Sequence, residues 1–130
     1  MAQLTSTLTL ASADVSSDAL SFSVTDTANV NAPIENVARI TATTTGNASI
    51  ILPSVNATRY VYIKHLGLNS AGARNVTDKL KVEYSDGNHI AELRAGEFLF
   101  LPYDTGGSAL LQLEASANTI QAEYAFFTRT

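Results

Sequence analysis

RYVYIKHLGLNSAGARNVTDKLKVEYSDGNHIAELRAGEFLFLPYD, residues Arg59 to Asp104, carries the sharpest β punctuation in the chain. From Arg59 to Leu66, Tyr60, Tyr62 and Lys64 alternate with Val61, Ile63 and His65. Bulk on both faces predicts a central strand, covered on one side and partly covered on the other. Gly67, Asn69, Gly72 and Asn75 then break the pattern into a loop. Leu80, Val82 and Tyr84 alternate with Lys79, Lys81 and Glu83 in a further strand. Asp86-Gly87 spells a type I′ turn, and Asn88 to Leu93 is the returning strand. After Arg94-Ala95-Gly96, the run from Glu97 to Pro102 is apolar on both faces, which predicts burial. Tyr103 to Ser108, with Gly106-Gly107, reads as a mobile loop.

Outward from this stretch, the N-terminal side is rich in Ser, Thr and Ala. These make up half of the first fifty residues, of which only five are charged, yet the apolar residues keep strand spacing. In QLTSTLTL, residues 3–10, Leu4, Leu8 and Leu10 share one face and Gln3, Thr5, Thr7 and Thr9 the other. Residues 1–18 therefore read as a first strand or as an extended arm that docks on a neighbour. Ala11 to Asp18 is a polar connection. LSFSVT follows, with Leu20, Phe22 and Val24 expected inward; Asp26 to Ala32 breaks the pattern and Pro33 marks an edge or turn. Val37 to Thr45 is β-branched and predicts a strand with a solvated Thr face. It is closed by Gly46-Asn47 as a hairpin with Ala48 to Leu52, stopped by Pro53. On the C-terminal side, Ala109 to Ala115 and Thr119 to Phe127 predict a hairpin around Ser116 to Asn118. Its last strand points Ile120, Ala122, Tyr124 and Phe126 one way. The expectation is one all-β domain over residues 1–130, an antiparallel β-sandwich or jelly-roll-like barrel of eight to ten short strands.

Composition narrows the function classes. The chain has 130 residues, enough for a single core, and only 15% are charged. So little charge mildly favours burying some surface against a partner. A net charge of −4 disfavours nucleic acid as a partner. No run approaches membrane-span length, and Met-Ala-Gln-Leu-Thr has neither the basic nor the apolar region of a secretion signal. With no Cys there is no disulfide framework or thiolate metal site, and with no Trp a favourite anchor of sugar-binding faces is missing. The triplets at Asn47, Asn56 and Asn75 that match a glycosylation acceptor are a chance product of Ser/Thr abundance.

Nothing in the residues assembles an active site. His65 and His89 sit in expected strands without an Asp or Cys neighbour, which suits structural roles better than a ligand or base. Asp14, Asp18, Asp26, Asp78, Asp86 and Asp104 are scattered through turns, without the spacing of a calcium loop. Glu92 and Glu97 read as solvated residues near a turn, not as a glycosidase pair. No GxSxG, Walker A or GxGxxG sequence occurs, so neither catalysis nor a metal or cofactor is expected. Tyr60, Tyr62, Tyr84, Phe98, Phe100, Tyr124, Phe126 and Phe127 lie on strands. Core packing accounts for them more simply than the flat exposed face of a carbohydrate-binding module. Contacts with other molecules are expected at the plain segments: Leu4, Leu8 and Leu10 in the N-terminal strand, Asn69 and Arg74 in one loop, Tyr103 and Asp104 in another.

The runs YVYIKHLG, LKVEYSDGNHIAELRAGEFLFLP and IQAEYAFFTR resemble small structural proteins of tailed-bacteriophage particles. In those proteins an aromatic strand, a short hairpin, an L-x-x-G-E-F-x-x-x-P element and a final aromatic strand recur. Here the element is Leu93 to Pro102, and the likeness covers about residues 59–130. The resemblance implies a non-enzymatic capsid decoration (cement) protein, or another head or tail component, located in the virion. Its partners would be the major capsid protein or other virion proteins, and it would work as a homo-oligomer, preferably a trimer. A tail- or fibre-associated adhesion or carbohydrate-binding module is the alternative. No catalytic residues carry over from that class.

Overall fold

The structure, a computed structural model, describes residues 2–15, 17–31, 35–45, 58–104 and 110–130. Among these residues it is all-β. The strands are β1 (Ala2–Ser12), β2 (Leu20–Val30), β3 (Glu35–Ala42), β4 (Thr58–His65), β5 (Leu80–Tyr84), β6 (His89–Leu93), β7 (Phe98–Asp104), β8 (Leu111–Ala115) and β9 (Ile120–Thr128). Every pairing is antiparallel. They form a four-stranded sheet ordered β3-β9-β4-β7, a three-stranded sheet ordered β6-β5-β8, and a two-stranded ribbon, β1-β2. The result is a sandwich carrying a ribbon, not a closed barrel.

Period-2 alternation builds the core. Val61 and Ile63 of β4, Tyr103 of β7 and Ile120, Ala122 and Phe126 of β9 face Leu80 and Val82 of β5, Leu93 of β6 and Leu111, Leu113 and Ala115 of β8. Leu99, Leu101 and Tyr124 pack against this cluster from the same inner face. As expected, β4 is interior to its sheet, with a fully buried inner face and a half-buried outer one. Along the β3–β8 side the two sheets meet, where the Ala115 amide donates to the Thr43 carbonyl at 2.8 Å.

Several sequence expectations are corrected. Tyr103 is no loop residue: it is a buried part of β7, and its ring lies 6.1 Å from that of Tyr84 across the core. The run from Glu97 to Pro102 is half-buried on one face, that of Leu99 and Leu101, and exposed on the other. β7 has β4 as its partner and lies at the sheet edge, where the ring nitrogen of Pro102 costs no central ladder bond. β8 and β9 do not pair as a hairpin; they belong to different sheets, and Asn118, at φ 52°, turns the chain between them. The turn at Asp86-Gly87 is not type I′, which needs two positive φ angles. Only Gly87 has one, at 87°, and the β5–β6 register shifts between Val82 and Glu83. That is a type I turn closed by a left-handed glycine, the three-residue hairpin solution. Asp26 to Val30 does not break the second strand but continues it. The hairpin expected from Gly46-Asn47 to Leu52 and the turn at Pro33 lie outside the described residues. Among those described, the partner of β3 is β9.

The ribbon is joined to the body at its base. Val30 is buried and bridges to Arg129, the Asn31 amide donates to the Thr128 carbonyl at 2.9 Å, and the Thr130 amide donates to the Asn29 carbonyl at 3.2 Å. From there β1 and β2 pair over eleven positions, from Ala2↔Val30 to Ser12↔Leu20.

Candidate interaction surface

The ribbon register sorts its residues into two chemically opposite faces. Thr5↔Thr27, Thr7↔Thr25 and Thr9↔Ser23 fall on one, and their hydroxyls bond across the strands at 3.3, 3.0 and 3.2 Å. Leu4↔Ala28, Leu8↔Val24 and Leu10↔Phe22 fall on the other, interrupted only by Ser6↔Asp26 and ended by Ser12↔Leu20. The expected Leu4, Leu8 and Leu10 face is therefore real. The expected inward burial of Leu20, Phe22 and Val24 is not: they share that face, and Phe22 and Val24 are 47% and 50% exposed. Alternation predicts which residues share a face but says nothing of whether anything covers it.

A second apolar surface lies on the outside of the four-stranded sheet. Tyr60 and Tyr62 of β4, Phe98 and Phe100 of β7 and Phe127 of β9 all point away from the core. Tyr60 and Phe100 stack with parallel rings 5.6 Å apart, and Tyr62 and Phe98 lie 6.5 Å apart. Phe98 is 61% exposed and Phe100 38%. Core packing thus explains Tyr84, Tyr103, Tyr124 and Phe126, but not these five. The Tyr62 hydroxyl donates to Glu123 Oε1 at 3.4 Å; burial first, then the Glu123 charge, raises its pKa above the ordinary tyrosine value, so it stays a donor. Between ribbon base and aromatic wall runs a cleft of about 610 Å³, lined by Leu4, Leu8 and Val24 on one side and Tyr62, Phe98, Phe100 and Phe127 on the other. Thr5, Ser6, Thr7 and Asp26 complete its lining.

The opposite outer face, on the three-stranded sheet, is ionic. Lys79 and Glu92 pair at 2.7 Å, and Lys81 and Glu114 at 2.7 Å. The bond to Glu114 raises the Lys81 pKa, and the bond from Lys79 lowers that of Glu92. Beside them the buried Glu83 carboxylate accepts from Gln112 Nε2 at 2.8 Å and lies 3.2 Å from Nε2 of the exposed His89. One side of the sandwich is thus charged, while the other carries the aromatic wall, overhung by an apolar ribbon, with Lys64 and the Arg39–Glu123 pair, 3.9 Å apart, beside it on the same face.

The remaining expected contact residues divide. Asn69 holds its own loop: its side-chain carbonyl accepts from the amides of Ala71 and Ala73, and its backbone carbonyl from Gln121 Nε2. Arg74 is exposed and lines a polar hollow of about 580 Å³ with Asn69, Asn75, Thr77, Asp78, Asn118 and Thr119. The Asp78 carboxylate there is held by Nδ2 of Asn75 at 2.8 Å and of Asn118 at 3.0 Å. These bonds, that of Asn118 first, lower its pKa. Tyr103 is in the core, and Asp104 ends β7 in backbone register with Thr58. His65 is structural: its Nε2–H donates to the Asp78 carbonyl at 3.1 Å, and Nδ1 accepts from the Gly67 amide at 2.9 Å. Among the described residues, no group of three or more His, Asp or Glu side chains could hold a metal ion, and no helix is long and apolar enough to cross a membrane.

Sequence reasoning missed Phe22, Val24, Tyr62, Phe98 and Phe100 as surface residues. One signal existed, because Pro102 within FLFLP marks an edge strand and so a less covered run.

Compared with known proteins, the chain matches no family model, no curated protein and no solved structure.

Proposed function

We propose that this chain is a non-enzymatic structural protein of a tailed-phage particle, a capsid decoration or cement protein that bridges capsid subunits from the outside. The observation that carries this reading is the one-sidedness of the molecule: an apolar ribbon and an aromatic sheet face together, with a charged face opposite. A protein that lies on a shell needs this division, with one side to bury and one to leave in water. The phage assignment itself rests on the likeness of the Leu93–Pro102 element and its flanking strands. A cement protein adds contact area at many equivalent places, so each copy needs only modest affinity. The partners are the major capsid protein or other virion proteins, and the site of action is the virion. Heating particles with and without the chain tests this: the expected outcome is loss of shell integrity at lower temperature when it is absent. Equal heat resistance, or particles that never contain the chain, rules the cement role out.

The exposed aromatic wall, in which Tyr60 and Phe100 lie with parallel rings, supports a second reading, a tail- or fibre-associated adhesion module on which a sugar ring stacks. A glycan array distinguishes the two. Binding lost in Tyr60→Ala and Phe100→Ala favours adhesion; an array without hits removes it.

A further inference from the structure

We propose that the ribbon tip of one copy docks on the aromatic wall of a second copy of this chain, closing the protein into a small homo-oligomer. The chain leaves two apolar surfaces that it does not cover for itself. Eleven pairs make the ribbon about 37 Å long at roughly 3.4 Å per residue. The chain's own cleft reaches only as far as Leu8 and Val24 along it. Leu10, Leu20 and Phe22 lie beyond, at 48%, 42% and 47% exposure; the turn past them carries the exposed Asp14 and Asp18. The wall is likewise unfilled, because Phe98 and Phe100 stand open above a 610 Å³ cleft. The exposed parts of Leu8, Leu10, Leu20, Phe22, Val24, Phe98 and Phe100 come to roughly 600 Å², against the ~800 Å² per partner of a standard stable interface, polar rim included. A reciprocal pair would bury about that much on each partner, roughly three quarters of the standard figure.

A second copy is the occupant that accounts for both surfaces at once. Each copy offers one aliphatic tip and one aromatic wall, so reciprocal or cyclic exchange covers every tip and every wall with equal numbers of each. A foreign partner would have to supply complements to two different surfaces. The contact also stabilises the ribbon, since an isolated two-stranded ribbon is marginal in water. The docking is non-covalent and takes up the same apolar tip and wall that the shell-facing reading would bury, so a copy closed in this way would meet a shell by its other surfaces. The test uses this chain alone, and its failure leaves the shell-facing reading standing.

The test uses the purified 130-residue chain. Sedimentation and native mass measurement are expected to give a discrete species at two or three times the 13.8 kDa chain mass. Tip variant L10D/F22D and wall variant F98D/F100D are each expected to be folded by circular dichroism and to associate roughly thirtyfold or more weakly, the scale of removing an interface hot spot. Mixing the two variants should restore a mixed species, because the intact tip of the wall variant meets the intact wall of the tip variant. If either variant unfolds, F22S and F98S serve in its place. A wild-type chain that stays monomeric up to its solubility limit overturns the proposal. So does an oligomer that survives the wall substitutions, which would mean tip-to-tip contact, or a mixture that stays monomeric.

Discussion

His65 shows no solvent-accessible surface, yet both ring nitrogens are used, one donating to the Asp78 carbonyl and one accepting from the Gly67 amide. It ties the end of β4 to the loop that leads into β5. His65→Leu leaves a carbonyl and an amide without partners in the interior, and a cost of about 2–4 kcal/mol is expected in urea unfolding. Asn118 does two jobs at once, holding φ at 52° and donating to Asp78 at 3.0 Å. The two separate by substitution. Asn118→Gly keeps the backbone and loses only the hydrogen bond, whereas Asn118→Ala adds about 1 kcal/mol of left-handed strain. Urea midpoints should therefore fall in the order wild type, Gly, Ala; equal midpoints for the two variants would show that the φ angle carries no strain. Neither residue announces its role in the sequence, where His65 is one alternating strand residue among several and Asn118 one polar residue in a turn.

Among the elements, the ribbon differs from the sandwich strands in what holds it. β4 has partners on both sides and a fully buried inner face, while β1 has β2 and a row of hydroxyl bonds. Each such cross-strand pair contributes only a few tenths of a kcal/mol, up to about 1. Native-state hydrogen exchange should therefore find the amides of Val61 and Ile63 protected to near the global stability, and those of Leu8 and Leu10 much less so. Dilution that favours the single chain should widen the gap, and equal protection at low concentration would contradict this account of the ribbon. The β5–β6 hairpin has a sharper local requirement. Gly87, at φ 87°, has open space where a Cβ would lie, so Gly87→Ala costs backbone strain alone, about 1–2 kcal/mol.

At the scale of the molecule, acid and alkali should act through named pairs. The Asp78 and Glu92 carboxyls sit below their ordinary pKa values, held there by amide donors and by Lys79 respectively. A lowered carboxyl contributes stability that is complete above its unfolded-state pKa and is lost as pH falls through the folded one. Lys81, raised by Glu114, contributes stability that is complete below its unfolded-state pKa and lost as pH rises through the raised one. Urea midpoints are thus expected to form a plateau through neutral pH and to fall below the ordinary carboxylate range and above the ordinary lysine range. Asp78→Asn should flatten the acid limb relative to wild type; an unchanged limb would remove Asp78 from the account.

The sequence by itself determined the all-β class, the single sandwich body and the two-faced pattern of nearly every strand. Those follow from alternation and turn chemistry, which are local. Leu80, Val82, Ile120 and Phe126 were legible as inward residues because each faces a polar or less apolar neighbour one step away. Tertiary structure alone decided which faces meet. Leu10 and Phe22 alternate as regularly as Val82 and Leu113, yet the first pair lies open and the second is buried; Phe98 and Phe100 alternate as regularly as Leu99 and Leu101, yet only the leucines pack against the core. Burial depends on which strands end up opposite one another across long sequence separations. β8 and β9 show it most plainly: consecutive in the chain, they enter different sheets and enclose the core between them. The same long-range placement leaves the ribbon projecting past its own body, and that is the feature from which a function is proposed.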